Sequence, residues 1–137
     1  MVHALEIVHR LLKPEGRLID IHPSGIPPVM EAVRGNQRFL LGYLQETDDF
    51  IEYRQASAAL EQAVRRGLFA VERQDTFTFI IHADSAPELY DYLVETWADA
   101  VPPTEILTRA SELATAGETL RVEMSEGVAI TRLKPNG

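Results

Sequence analysis

Two histidines, His22 and His82, each close an apolar stretch, Leu18-Ile19-Asp20-Ile21 and Thr76 to Ile81. Ligands of open α/β sheets gather at the carboxyl ends of strands, so both positions are candidates for substrate contact. Asp20 lies two residues before His22, and strand periodicity puts both side chains on one face. An imidazole beside a carboxylate can act as a general base or hold a substrate. The competing reading is a strand-end ring bonded to backbone or water. Tyr90, Tyr92 and Trp97, with Phe77 and Phe79, could wall an apolar pocket, although aromatics on amphipathic helices more often fill the core. The substrate-pocket candidates are Asp20, His22, His82, Tyr90 and Trp97.

Other chemistries find less support. The chain has no cysteine, which removes disulfides, thiolate nucleophiles and Cys-based zinc sites together. His3 and His9 are six residues apart, a spacing that does not bring them to one helix face. Glu46 with Asp48-Asp49 could be taken for a cation cluster, but carboxylates at a helix start are the commoner explanation. No metal site is expected. Ser24 and Ser57 lie in no Gly-x-Ser-x-Gly element, so the sequence offers a serine hydrolase nothing.

The elements that must carry these residues follow from periodicity and punctuation. Ala4, Ile7, Val8, Leu11 and Leu12 trace one helical stripe, ended by Pro14 and turned by Gly16. Arg17 to His22 reads as a strand. Val29 to Arg34 and Arg38 to Leu44 flank Gly35-Asn36-Gln37 as a β-hairpin. Asp49 and Glu52 suggest a capping box for a helix that Gly67 ends. Leu68 to Val71 and Thr76 to His82 are two strand-like runs. Ser85-Ala86-Pro87-Glu88 is a strong helix start; Pro102-Pro103 stops that helix, and Thr104 opens another closed by Gly117. Leu120 to Met124 and Val128 to Leu133, joined by Ser125-Glu126-Gly127, read as a closing hairpin. One α+β domain over residues 1–137 is expected.

Composition narrows the setting. Of 137 residues, 45% are hydrophobic and 25% charged, the balance of a chain with a core. Lys and Arg number 13 against 21 Asp and Glu, a net charge of −8. That charge repels phosphate backbones and anionic lipid, so neither nucleic acid nor membrane is an expected partner. No signal peptide or spanning segment is read, and a cytoplasmic location is expected.

The run Ala4-Leu5-Glu6-Ile7-Val8-His9-Arg10-Leu11-Leu12-Lys13-Pro14-Glu15-Gly16-Arg17-Leu18-Ile19-Asp20-Ile21-His22-Pro23 is similar to a segment of class I S-adenosylmethionine-dependent methyltransferases. It resembles their helix, Leu-Lys-Pro-Gly-Gly turn and fifth strand, with Glu15 in place of the first glycine. The resemblance implies the C-terminal half of a Rossmann-like sheet. Asp49 to Arg66 would be the crossover helix, Thr76 to His82 the sixth strand, and Val128 to Leu133 an antiparallel seventh strand inserted between fifth and sixth. The hairpin and the two helices from Ser85 to Ala116 would be insertions that shape the substrate side.

The same resemblance implies what is lacking. The family binds its cofactor through a Gly-rich loop and an acidic residue in its first half, and the glycines here stand singly. No cofactor is therefore expected to bind this chain alone; S-adenosylmethionine enters only if a partner supplies the other half. The expected function is a substrate-side module, not catalytic alone, with a non-enzymatic dimerisation or small-ligand-binding domain as the alternative. The strand Arg17 to His22 would have an unpaired edge, so a homodimer through that edge or a separate cofactor-binding half is expected.

Overall fold

The computed structural model describes all 137 residues, Met1 to Gly137. The order is α1 (Val2–Leu11), β1 (Leu18–Pro23), β2 (Val29–Arg34), β3 (Gln37–Tyr43), β4 (Gln45–Glu46), α2 (Ile51–Arg65), β5 (Phe69–Ala83), α3 (Ala86–Thr96), β6 (Ala100–Val101), α4 (Glu105–Leu113) and β7 (Arg121–Pro135). The architecture is α+β, with antiparallel pairing of β1 with β7, β2 with β7, and β2 with β3. Two compact units make up the chain: Met1–Gly25, Ile51–Phe77 and Gly127–Gly137 form the first, Ile26–Phe50 and Thr78–Glu126 the second. No helix is long and apolar enough to cross a membrane.

In the first unit, Leu60 and Ala63 of α2 meet Phe69 of β5 and Leu133 of β7, with Leu5, Val8, Leu12 and Leu18 packed around them. The α1 stripe read from the sequence is therefore the face that joins this core. His9 belongs to it too: its ring stands edge-on to Phe69, 5.3 Å between centroids, and Nε2 donates to the Asn136 carbonyl at 2.8 Å. Asn136 in turn donates its backbone N–H to Leu68 and its side-chain amide to Gly67, both at 2.9 Å. β1 pairs with β7, register Leu18↔Leu133 to Pro23↔Val128, while β5 pairs with β7. β1 has no strand on its other side.

In the second unit, Met30, Ala32, Leu41, Leu89, Leu93, Ile106, Val122 and Met124 form a core between the sheet and α3 and α4. The hairpin closes as expected, Arg34 opposite Gln37 around Gly35-Asn36, with Gly35 at φ 58° where a side chain would be strained. Ser85 caps α3 by accepting from the Glu88 N–H at 3.3 Å, and the Glu88 carboxylate accepts from the Asp84 N–H at 2.7 Å. Beyond α4, Glu118 gathers Thr115 and Arg34, whose hydrogen bonds hold its carboxyl down at about 2.

Three local expectations fail for physical reasons. Ser125-Glu126-Gly127 makes no turn: β7 is one strand of 15 residues. Gly127 does not have positive φ. A Cβ there would come within 3.0 Å of the Ser24 hydroxyl, whose own backbone N–H donates to the Gly127 carbonyl at 2.8 Å. The glycine permits close approach of two chain segments rather than a reversal. Likewise Glu72 to Asp75 interrupts nothing, and β5 is continuous over 15 residues. That run is polar because it is exposed; Glu72 pairs with Arg17 at 2.7 Å and Arg132 at 3.1 Å. Finally, the chain enters α2 through a turn and not through an extended residue at Asp49. Asp49 and Phe50 have φ of 54° and 59°, and Asp48 accepts from the Phe50 N–H at 3.1 Å, a tight turn instead of the extended backbone a cap needs.

Candidate functional site: a hydrogen-bonded line of Asp20, His22 and Ser57

Three periodicities converge on one cavity of the first unit. Along β1, Leu18, Asp20 and His22 share a face, and the alternate Ile19 and Ile21 are about half exposed on the other. Along β7, Ala129, Thr131 and Leu133 share a face by the same rule, and the register sets them opposite His22, Asp20 and Leu18. Along α2, the cavity-lining residues are Ser57, Leu60, Glu61, Val64 and Arg65. These stand at i, i+3, i+4, i+7 and i+8, one stripe of a 3.6-residue helix. With Val71 and Gln74 of β5 they enclose about 360 Å³, the lower range of small-molecule sites. Opposite His22 the strand offers only Ala129, and that small side chain leaves the room.

The geometry inside is a line. His22 Nδ1 lies 2.5 Å from Asp20 Oδ2, and Nε2 lies 2.8 Å from Ser57 Oγ. An ionised carboxylate only accepts, so the bonding assigns the proton to Nδ1. Nε2 is then an acceptor, and Ser57 donates its hydroxyl proton to it. The hydroxyl's other contact, the Tyr53 carbonyl one turn back, is longer at 3.3 Å. His22 is 11% exposed and Asp20 25%, so the pair is shielded without being sealed. A hydroxyl, a base and a carboxylate that orients the base are the parts of an activated nucleophile. Apolar Leu60, Val64, Val71 and Leu133 line the same space, with Arg65, Gln74 and Thr131 as further hydrogen-bond donors.

The remaining sequence candidates belong to the second unit. His82 Nδ1 lies 3.2 Å from Oε1 of Glu123, which also pairs with Arg38 at 2.7 Å and Arg121 at 3.2 Å. Glu123 is 3% exposed and stands opposite Glu31 in the β2–β7 register, a like-charge pair that would repel without Arg38, which reaches both. Burial pushes the Glu123 carboxyl up, but the Arg38 bond and the charges of Arg38, His82 and Arg121 bring it below the ordinary carboxylate value. Tyr90 and Trp97 pack partly buried against the core, whereas Tyr92, Phe77 and Phe79 are about half exposed. In the same unit the Glu46 carboxyl is pushed up to about 6 by burial and by the charge of Asp48, against a lowering influence of the nearby Trp97 side chain. Glu46 Oε1 is buried without a partner. No group of three or more His, Asp or Glu side chains is arranged to hold a metal ion.

The structure thus joins Asp20 and His22, as their spacing implies, and adds Ser57, which sequence reasoning discounted for want of a motif. Its one signal was place: a serine on the cavity stripe of a helix that crosses over the strand bearing His22. Set against known protein families, characterised proteins and solved structures, the chain matches none of them significantly.

Proposed function

We propose that the chain is a methyltransferase-type substrate-side module that does not catalyse alone, cytoplasmic, with S-adenosylmethionine bound by a half supplied from elsewhere. One observation carries this reading: β7 lies between β1 and β5 and runs antiparallel to β1, with α2 on the connection from β1 to β5. A fifth, a seventh and a sixth strand of the Rossmann-like methyltransferase sheet have that neighbour order, and the sequence resemblance assigned the three segments to those places. His22, at the carboxyl end of β1, then faces the methyl acceptor from the cavity, with Asp20 orienting its ring.

The free side of β1 is the edge at which such a sheet would continue. A second copy, pairing through Arg17 to His22, or a separate cofactor-binding half would occupy it, in line with the half-exposed Ile19 and Ile21 beside it. Calorimetry with S-adenosylmethionine tests the reading: the chain alone should give no binding heat, and tight binding would overturn it. Light scattering tests the partner: a dimer is expected at micromolar concentration, and a monomer there leaves only the separate half. The competing reading, a small-ligand-binding domain without methyl transfer, predicts heats from small apolar alcohols or acids that are indifferent to any cofactor-binding half.

A further inference from the structure

We propose that Ser57 is an activated nucleophile that takes acyl groups from small, apolar carboxylic esters. The inference is independent of the methyltransferase reading, since it needs only the line Asp20–His22–Ser57 and the cavity at its end. The 2.8 Å bond from Ser57 Oγ to His22 Nε2 and the 2.5 Å bond from Nδ1 to Asp20 place a base on the hydroxyl and a carboxylate behind the base. Every member is half-buried, so the hydroxyl is reachable from the cavity while the ring is held.

In the step, Ser57 Oγ bonds to the ester carbonyl carbon and its proton passes to His22 Nε2. The carbon–oxygen bond to the leaving alkoxide breaks, and His22 returns the proton to that oxygen. Water, deprotonated by the same nitrogen, later releases the acid, so the sum is ester plus water giving acid plus alcohol. The apolar Leu60, Val64 and Val71 suit a short acyl chain.

One part differs from an efficient hydrolase. Ser57 sits seven residues into the 15-residue α2, where the backbone N–H groups around it are held by the helix. No helix N–H beside Ser57 is free to bind the oxyanion, and the donors on the cavity wall are the side chains of Gln74, Arg65 and Thr131. Losing one such donor slows a serine enzyme by about 10²–10³. Ser57 should therefore acylate slowly and deacylate more slowly still, so that an adduct accumulates.

The experiment is intact-mass and peptide mapping of the full chain after incubation with p-nitrophenyl butyrate and, separately, with an alkyl fluorophosphonate. In the latter, oxygen bonds to phosphorus and fluoride departs. A single adduct on Ser57 is expected, absent in Ser57→Ala and slowed about a hundredfold in His22→Gln. Adducts only on lysines or tyrosines, or none at all, would overturn the proposal. The site of the adduct is read on the unsubstituted protein, so misfolding of a variant does not blunt the test. A serine that merely ties α2 to β1 leaves both reagents untouched.

Discussion

Each nitrogen of the His22 ring has one partner, and the partners are unlike. The Asp20 carboxylate fixes the tautomer, and Ser57 reads it through the other nitrogen. Nitrogen-15 spectra of the ring should show the proton on Nδ1, and Asp20→Asn, whose amide can itself donate, should move it toward Nε2. In the second unit, two glutamates titrate in opposite senses. Glu123 has a lowered pKa, so its contribution to stability is present above the ordinary carboxylate value and lost as pH falls below it. Glu123→Ala should cost about 1–3 kcal/mol at neutral pH, toward the lower end because its cationic partners are half in water. Glu46, raised to about 6, behaves inversely: the fold is favoured below the ordinary value and loses that favour as pH rises through about 6. Glu46→Gln should therefore flatten the fall in melting temperature between about pH 5 and about pH 7. The Asp20–His22 pair was legible because strand alternation is local. Ser57 was not, because its place beside His22 depends on how a helix 35 residues away packs.

Among the elements, the hairpin at Gly35-Asn36 and the start of α3 at Ser85 were legible from turn and cap residues whose chemistry is completed within a few positions. The turn expected at Ser125-Glu126-Gly127 was not, since a glycine needed for closeness and one needed for reversal look alike in sequence. The distinction is testable. Gly127→Ala should lower stability by about 1 kcal/mol, a melting shift of several degrees, because the new methyl meets Ser24 Oγ at 3.0 Å. Adding Ser24→Ala, which removes that oxygen, should recover most of the loss in a double-mutant cycle. A turn glycine would show no such coupling. The long β5 was read as two runs with polar Glu72 to Asp75 between them, whereas an exposed strand flanked by arginines accommodates charge readily.

At the scale of the molecule, the α+β class was legible in the punctuation of helices and strands, whereas the residues gave no register between distant strands. The open side of β1 is where assembly should be visible. Placing lysine at Ile19 and Ile21, both about half exposed, should turn the proposed dimer into a monomer by light scattering while changing unfolding free energy by under about 0.5 kcal/mol each. The second unit holds one further resource. Trp97 is the sole tryptophan among 137 residues, and its side chain lies close enough to Glu46 to influence the carboxyl that is pushed up to about 6. The intrinsic emission of the intact protein is thus a built-in optical gauge of a single proton. Its intensity should turn over near that pH and fall silent to pH in Glu46→Gln, with no dye or label attached.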